Sequence, residues 1–212
     1  MLTQRAVVDD AGPMGFGYVP FEAPDDVEPG ALRRLWLTLK MVLLSPSQFY
    51  PRLLTSVSIA KPVIFGYACI LIGMVVSLLW FLTLDLPGRE VVDKAALDAG
   101  VDADQLIFGI LALTPILAGL QMAVEVLLYH VVAKVGGGKA DMLKSIQLYG
   151  YSSGAHLLKV IPYLGGLLYW MARVYSQLTG TRIIHGLTTA RAALAVLVPL
   201  IAGLFFRFGG MI

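Results

Sequence analysis

The sequence predicts an all-α membrane protein: a bundle of five transmembrane helices preceded by a short amphipathic interfacial helix. Three observations carry this expectation. Apolar residues make up 58% of the 212-residue chain and charged residues only 14%, whereas an ordinary soluble domain is about 25% charged. The mean hydropathy is +0.77. The stretch from Pro62 to Leu84 contains no charge, and about 20 such residues cross the hydrocarbon core as a helix. Together these exclude a disordered chain, a coiled coil and a typical soluble enzyme.

Charge and cysteine usage narrow the partners. A formal net charge of +2 is too small to attract nucleic acid, so none is expected. The single cysteine, Cys69, makes neither an intrachain disulfide nor a thiolate zinc site. Residues 1–30 lack the basic start and early apolar run of a cleaved signal. They carry Asp9, Asp10, Glu22, Asp25, Asp26 and Glu28 against Arg5, and Pro13, Pro20, Pro24 and Pro29 break any helix. This composition predicts a mobile acidic cytoplasmic tail, with Phe16, Tyr18 and Phe21 as the residues of a binding peptide if it has one.

Residues 31–61 form the juxtamembrane segment. Leu32, Leu35, Trp36, Leu39, Val42 and Leu43 recur at helical spacing between Arg33, Arg34 and Lys40, which suits a helix lying in the membrane interface. It ends at Ser45-Pro46, because the residue before proline avoids the helical region. The span domain, residues 62–212, follows with expected helices at Pro62 to Leu84, Leu106 to Val135, Ser145 to Leu158, Val160 to Leu178 and Leu187 to Phe206. The third is short and joins the fourth as a tight hairpin.

Loop charge sets the orientation. Arg33, Arg34, Lys40, Arg52 and Lys61 precede the first span, and Lys134, Lys139 and Lys144 follow the second. The loop between those spans is acidic, with Asp85, Glu90, Asp93, Asp98, Asp102 and Asp104 against Arg89 and Lys94. Basic loops stay in the cytoplasm. The expected topology in the inner membrane is therefore N-terminus inside and C-terminus outside.

Several ordered motifs resemble the Yip-one family (Ypt-interacting protein one, the Yip domain). The run Leu37-Thr38-Leu39, Val42-Leu43 and Ser45-Pro46-Ser47-Gln48-Phe49-Tyr50 is similar to its pre-membrane segment. Lys134-Val135-Gly136-Gly137-Gly138-Lys139 resembles its glycine turn. Tyr149-Gly150-Tyr151 and Ile161-Pro162-Tyr163-Leu164-Gly165-Gly166 resemble its third and fourth spans. His185, Thr188, Arg191-Ala192 and Val198-Pro199 resemble its final helix. The resemblance implies five spans and a cytoplasmic N-terminus. Eukaryotic relatives bind Rab-type GTPases in vesicle traffic, while the short N-terminus resembles bacterial members, whose activity is not settled. Some of those carry a zinc ribbon, for which this chain lacks the cysteines.

Glu125 is the sharpest chemical signal. A carboxylate inside a span is expensive and marks a site by default. Gln121, Glu125 and Tyr129 are spaced by four and share a helix face, giving either a proton- or cation-binding cavity or a polar clasp between helices. Arg173 falls in the same half of the membrane and is the expected partner of Glu125, with a Tyr149 or Tyr151 hydroxyl as the alternative. His130 does not share that face, His156 bonds a neighbouring helix, and His185 lies solvated in a cytoplasmic loop. Gly150 and Gly154 form a small-xxx-small pair for helix packing or a homodimer face. No catalytic constellation, cofactor motif or metal-ligand set is present. The expected function is non-enzymatic: scaffolding partners or organising the bilayer. The alternative is a small permease or channel that uses a buried Glu125 site.

Overall fold

A computed structural model describes residues 17–24, 28, 30–84 and 89–208. Eight α-helices follow in order: α1 (Ala31–Leu44), α2 (Pro46–Leu53), α3 (Ala60–Thr83), α4 (Arg89–Ala99), α5 (Ala103–Val135), α6 (Met142–Ser152), α7 (Gly165–His185) and α8 (Thr189–Phe208). Two 3-10 segments, Pro20–Glu22 and Ser153–Val160, complete the secondary structure of the described residues. Among the described residues, two helices contain stretches long and apolar enough to cross a membrane, Ala60–Trp80 and Ala103–Val135, and α8 adds a shorter apolar stretch, Thr189–Ile201.

Helix α1 has the expected bounds, but only part of its apolar stripe faces inward. Thr38 and Val42 are buried while Leu32 and Trp36 are exposed. Pro46 then starts α2, where its fixed φ suits the first helical turn. Tyr50 and Phe49 of α2 are buried, and Tyr50 shares a 2.7 Å hydrogen bond with Ser176 of α7. Gly180 makes that docking feasible, because a Cβ there would stand 2.8 Å from the Tyr50 ring.

Helix α3 packs on α5, α6 and the segment Ser153–Val160. Backbones meet at Gly66 and Gly150: a Cβ on Gly66 would lie 2.7 Å from the Gly150 carbonyl oxygen, and one on Gly150 would collide with the Pro62 carbonyl. The Gly150–Gly154 face is thus covered by α3, Leu39 and Phe65 within the same chain, so the small-residue pair packs against its own chain.

Three expectations change. The third segment is helical only from Met142 to Ser152 and continues as a 3-10 helix to Val160. The Ser152 and Ser153 hydroxyls both donate to the Tyr149 carbonyl, at 3.0 and 2.9 Å, and such local bonds compete with the regular helical ladder. The acidic loop between the first two spans contains a helix, α4, with α5 beginning at an Asp102/Gln105 capping box. The expected free tail over residues 1–30 does not describe residues 17–24: Val19 and Ala23 are each 2% exposed, and Phe21 packs against the core. Apart from Glu28 and Gly30, the rest of that tail lies outside the described residues.

Candidate functional site

The site is built from four elements: α5, α6, the 3-10 segment Ser153–Val160 and, between them, α7. Arg173 is 1% exposed, and its guanidinium reaches three of them. Its Nη2 lies 2.5 Å from Glu125 Oε2 on α5 and 2.5 Å from the Tyr149 hydroxyl on α6. Its Nη1 lies 3.0 Å from His156 Nε2 on the 3-10 segment and also donates to the Tyr169 hydroxyl one turn back on α7. Arginine has donors and no acceptor. His156 Nε2 therefore accepts, which fixes a neutral imidazole with its proton on Nδ1. The Tyr149 and Tyr169 rings flank the guanidinium with centroids 4.9 and 5.6 Å from its carbon, adding cation–π attraction.

Glu125 is 8% exposed. One oxygen accepts from Gln121 Nε2 at 2.8 Å, one turn earlier on α5. The other accepts from the Tyr149 hydroxyl and from Arg173. Tyr149 thus donates to the carboxylate and accepts from the guanidinium, closing a three-centre arrangement. Charge-assisted bonds of this kind are the strong ones, and they compensate two ions that would each be costly alone.

Of the residues singled out in the sequence, Gln121, Glu125 and Arg173 meet. Tyr129 does not join them. It lies on the same side of α5 but one turn further on, where its hydroxyl shares a 2.9 Å hydrogen bond with Thr181 of α7. His185 is also placed differently from the solvated position expected for it. It ends α7 fully buried, with Nε2 3.2 Å from Ser145 Oγ, which also lies 2.8 Å from His130 Nδ1 and 3.4 Å from the Asp141 carbonyl. The turn Gly136–Gly138 closes over it, and Lys139 N donates to the His185 carbonyl at 3.1 Å. Nearby, Lys144 lies in the first turn of α6. Its ammonium group donates to the carbonyls of Leu53 and Ser56.

A ladder on α7 that sequence reasoning missed joins these contacts. Tyr169, Arg173, Gln177, Thr181 and His185 recur every four residues, and all five are buried. Each meets a different neighbour: Tyr169 stacks on His156 with centroids 4.5 Å apart, Arg173 meets Glu125, Gln177 donates to Ser152 at 3.1 Å, Thr181 meets Tyr129 and His185 meets Ser145. Spacing by four, which sets each residue beside the next while the row winds about 40° per step around α7, was the available signal. Mean hydropathy conceals it, because Leu167, Leu168 and Met171 lie among the polar residues.

The described residues form an all-helical protein in which two helices are long and apolar enough to cross a membrane, and its elements are tied together through one polar helix, α7. The chain belongs to the Yip family: a family model described as the Yip1 domain matches residues 40–209. No curated protein and no solved structure matches it.

Proposed function

We propose that this chain is a non-enzymatic five-span protein of a bacterial inner membrane that holds partners or organises the bilayer around a rigid helical body. The observation that carries this reading is the internal pairing of Glu125. Its two oxygens accept three hydrogen bonds from side chains of the same protein, one of them from the Arg173 guanidinium, so a transported cation would have to displace a built-in one. The role of Glu125 is that of a clasp locking α5, α6 and α7. Element lengths support five crossings. The run from Met142 to Val160 is about 32 Å long at helical and 3-10 rises, α7 about 31 Å and α8 about 30 Å, against a hydrocarbon core of about 30 Å. With α3 and α5 these make an odd number of crossings, and the basic segments around α1 and the glycine turn favour a cytoplasmic N-terminus.

Purified protein in liposomes carrying an internal pH dye tests the clasp against the permease. No proton or cation flux above that of protein-free vesicles is expected, from either wild type or Glu125→Gln. A flux that wild type shows and Glu125→Gln abolishes sinks the reading and makes Glu125 a pathway residue. Single cysteines at Asp98, Gly137 and Gly210, with Cys69 replaced by serine, test the topology. An impermeant thiol reagent outside the cell should label the first and third and spare the second. Labelling at Gly137 reverses the orientation, and failure at Gly210 alone gives an even number of crossings.

A further inference from the structure

Residues 18–24 sit in a crevice lined by α1, the α2–α3 connection, α3 and α6. The segment makes one 3-10 turn, with Glu22 N and Ala23 N donating to the Val19 carbonyl at 2.8 and 3.0 Å. Its main chain is read by cations. Arg52 donates to the Tyr18 carbonyl at 2.7 Å, Lys61 to that of Glu22 at 3.0 Å and Arg34 to that of Ala23 at 2.7 Å. Val19, Pro20 and Ala23 are buried, and the half-buried Phe21 and Glu22 make specific contacts with the wall. Phe21 meets Phe65 with centroids 5.6 Å apart, and its amide donates to Thr38 Oγ1 at 2.9 Å. Glu22 accepts from the Tyr151 hydroxyl at 2.6 Å through one oxygen and from Ser56 Oγ at 2.5 Å through the other.

This division of labour belongs to a peptide site: main-chain contacts that any sequence can make, small side chains buried at Val19, Pro20 and Ala23, and two contacts that select a ring and a carboxylate. The carboxylate pocket is specific. Tyr151 is fully buried, and its hydroxyl would lose this acceptor without Glu22. Leaving such a buried donor unsatisfied is costly. The occupant is not part of any bundle helix. Residues 25–30 separate it from α1, so it can leave without unwinding one.

We propose that this crevice is a binding site for a partner peptide in which an aromatic residue is followed by glutamate, and that the chain's own Phe21–Glu22 fills it as a tethered competitor. Occupation in cis controls access. A short tether gives an effective concentration of roughly millimolar, so a partner must bind tightly or arrive when the segment is out. The three cations favour an acidic partner, and the Phe65 wall requires the ring. The inference is independent of the number of spans and of the role of Glu125.

A labelled synthetic peptide of residues 17–24, titrated against the full-length protein by fluorescence polarisation, tests it. The double variant Phe21→Ala/Glu22→Ala empties the pockets and should bind the peptide at least about tenfold more tightly than wild type, a difference of about 1.4 kcal/mol. A peptide with glutamine in place of its glutamate should lose about tenfold again. Equal affinity for wild type and the emptied variant overturns the proposal, as does indifference to the glutamate. A second form covers the case in which the variant misfolds: a protease site inserted between Asp26 and Val27 of the otherwise natural chain. After cleavage and dilution the N-terminal piece should leave and the labelled peptide should take its place. A piece that stays bound and never exchanges makes the segment a permanent staple and ends the proposal.

Discussion

Removing either half of the Glu125–Arg173 pair should damage the fold far more than removing both. Glu125→Gln keeps the shape and, with its oxygen toward Tyr149, that bond, but its amide nitrogen cannot accept from Gln121 Nε2, and a fully buried guanidinium is left without its counter-charge. Arg173→Met leaves the carboxylate uncompensated and takes donors from Tyr149, Tyr169 and His156 at once. Breaking one partner of a buried pair typically costs about 3–5 kcal/mol, whereas replacing both with neutral groups is often close to neutral. In a chain of this size 1 kcal/mol moves the melting temperature by about 2–4 °C, so each single change should lower it by roughly 6–20 °C. The double variant should recover most of the Glu125→Gln loss and stop short of wild type, because His156 and Tyr169 still lack their donor. The assay is thermal unfolding in one detergent, followed by helical circular dichroism, for all four proteins. Losses that add, with an interaction energy under about 0.5 kcal/mol, would show that the two charges do not stabilise each other and would falsify the clasp.

Other expectations follow from single contacts. Tyr149→Phe removes the hydroxyl that bridges carboxylate and guanidinium and should cost about 1–3 kcal/mol, measured in the same melts. Gly150→Ala places a Cβ against the Pro62 carbonyl, whereas Gly109→Ala meets nothing within 4 Å. The first should destabilise, and the second should be neutral or stabilise by up to about 1 kcal/mol through helix propensity; the reverse order would refute the α3–α6 contact. Gly180→Val should push the Tyr50 ring off α7 and break its bond to Ser176. It should lower the melting temperature and expose the α2 region to limited proteolysis.

What the sequence by itself determined is local. Charge-free length and apolar periodicity mark α3 and α5, and the apolar spacing ahead of Ser45-Pro46 places α1 at its observed bounds, because both depend on neighbours within a few residues. The cost of a carboxylate in a span likewise requires that Glu125 face inward and find a partner. Tertiary structure decided the rest. Arg173 lies 48 residues from Glu125, and whether it meets Glu125, Tyr149 or both depends on the axial offset and rotation of α7 against α5 and α6. Close backbone contacts such as Gly66 on Gly150 help set those offsets, and no window of sequence displays them. The same holds for Tyr129, which shares the Glu125 face yet bonds Thr181, for His185, which a loop-like context makes solvated and the closing glycine turn makes buried, and for Glu22. An acidic, proline-broken stretch reads as a free tail because its composition cannot bury itself. It is held here by a tyrosine 129 residues away, a partner that exists only once α3 and α6 have packed.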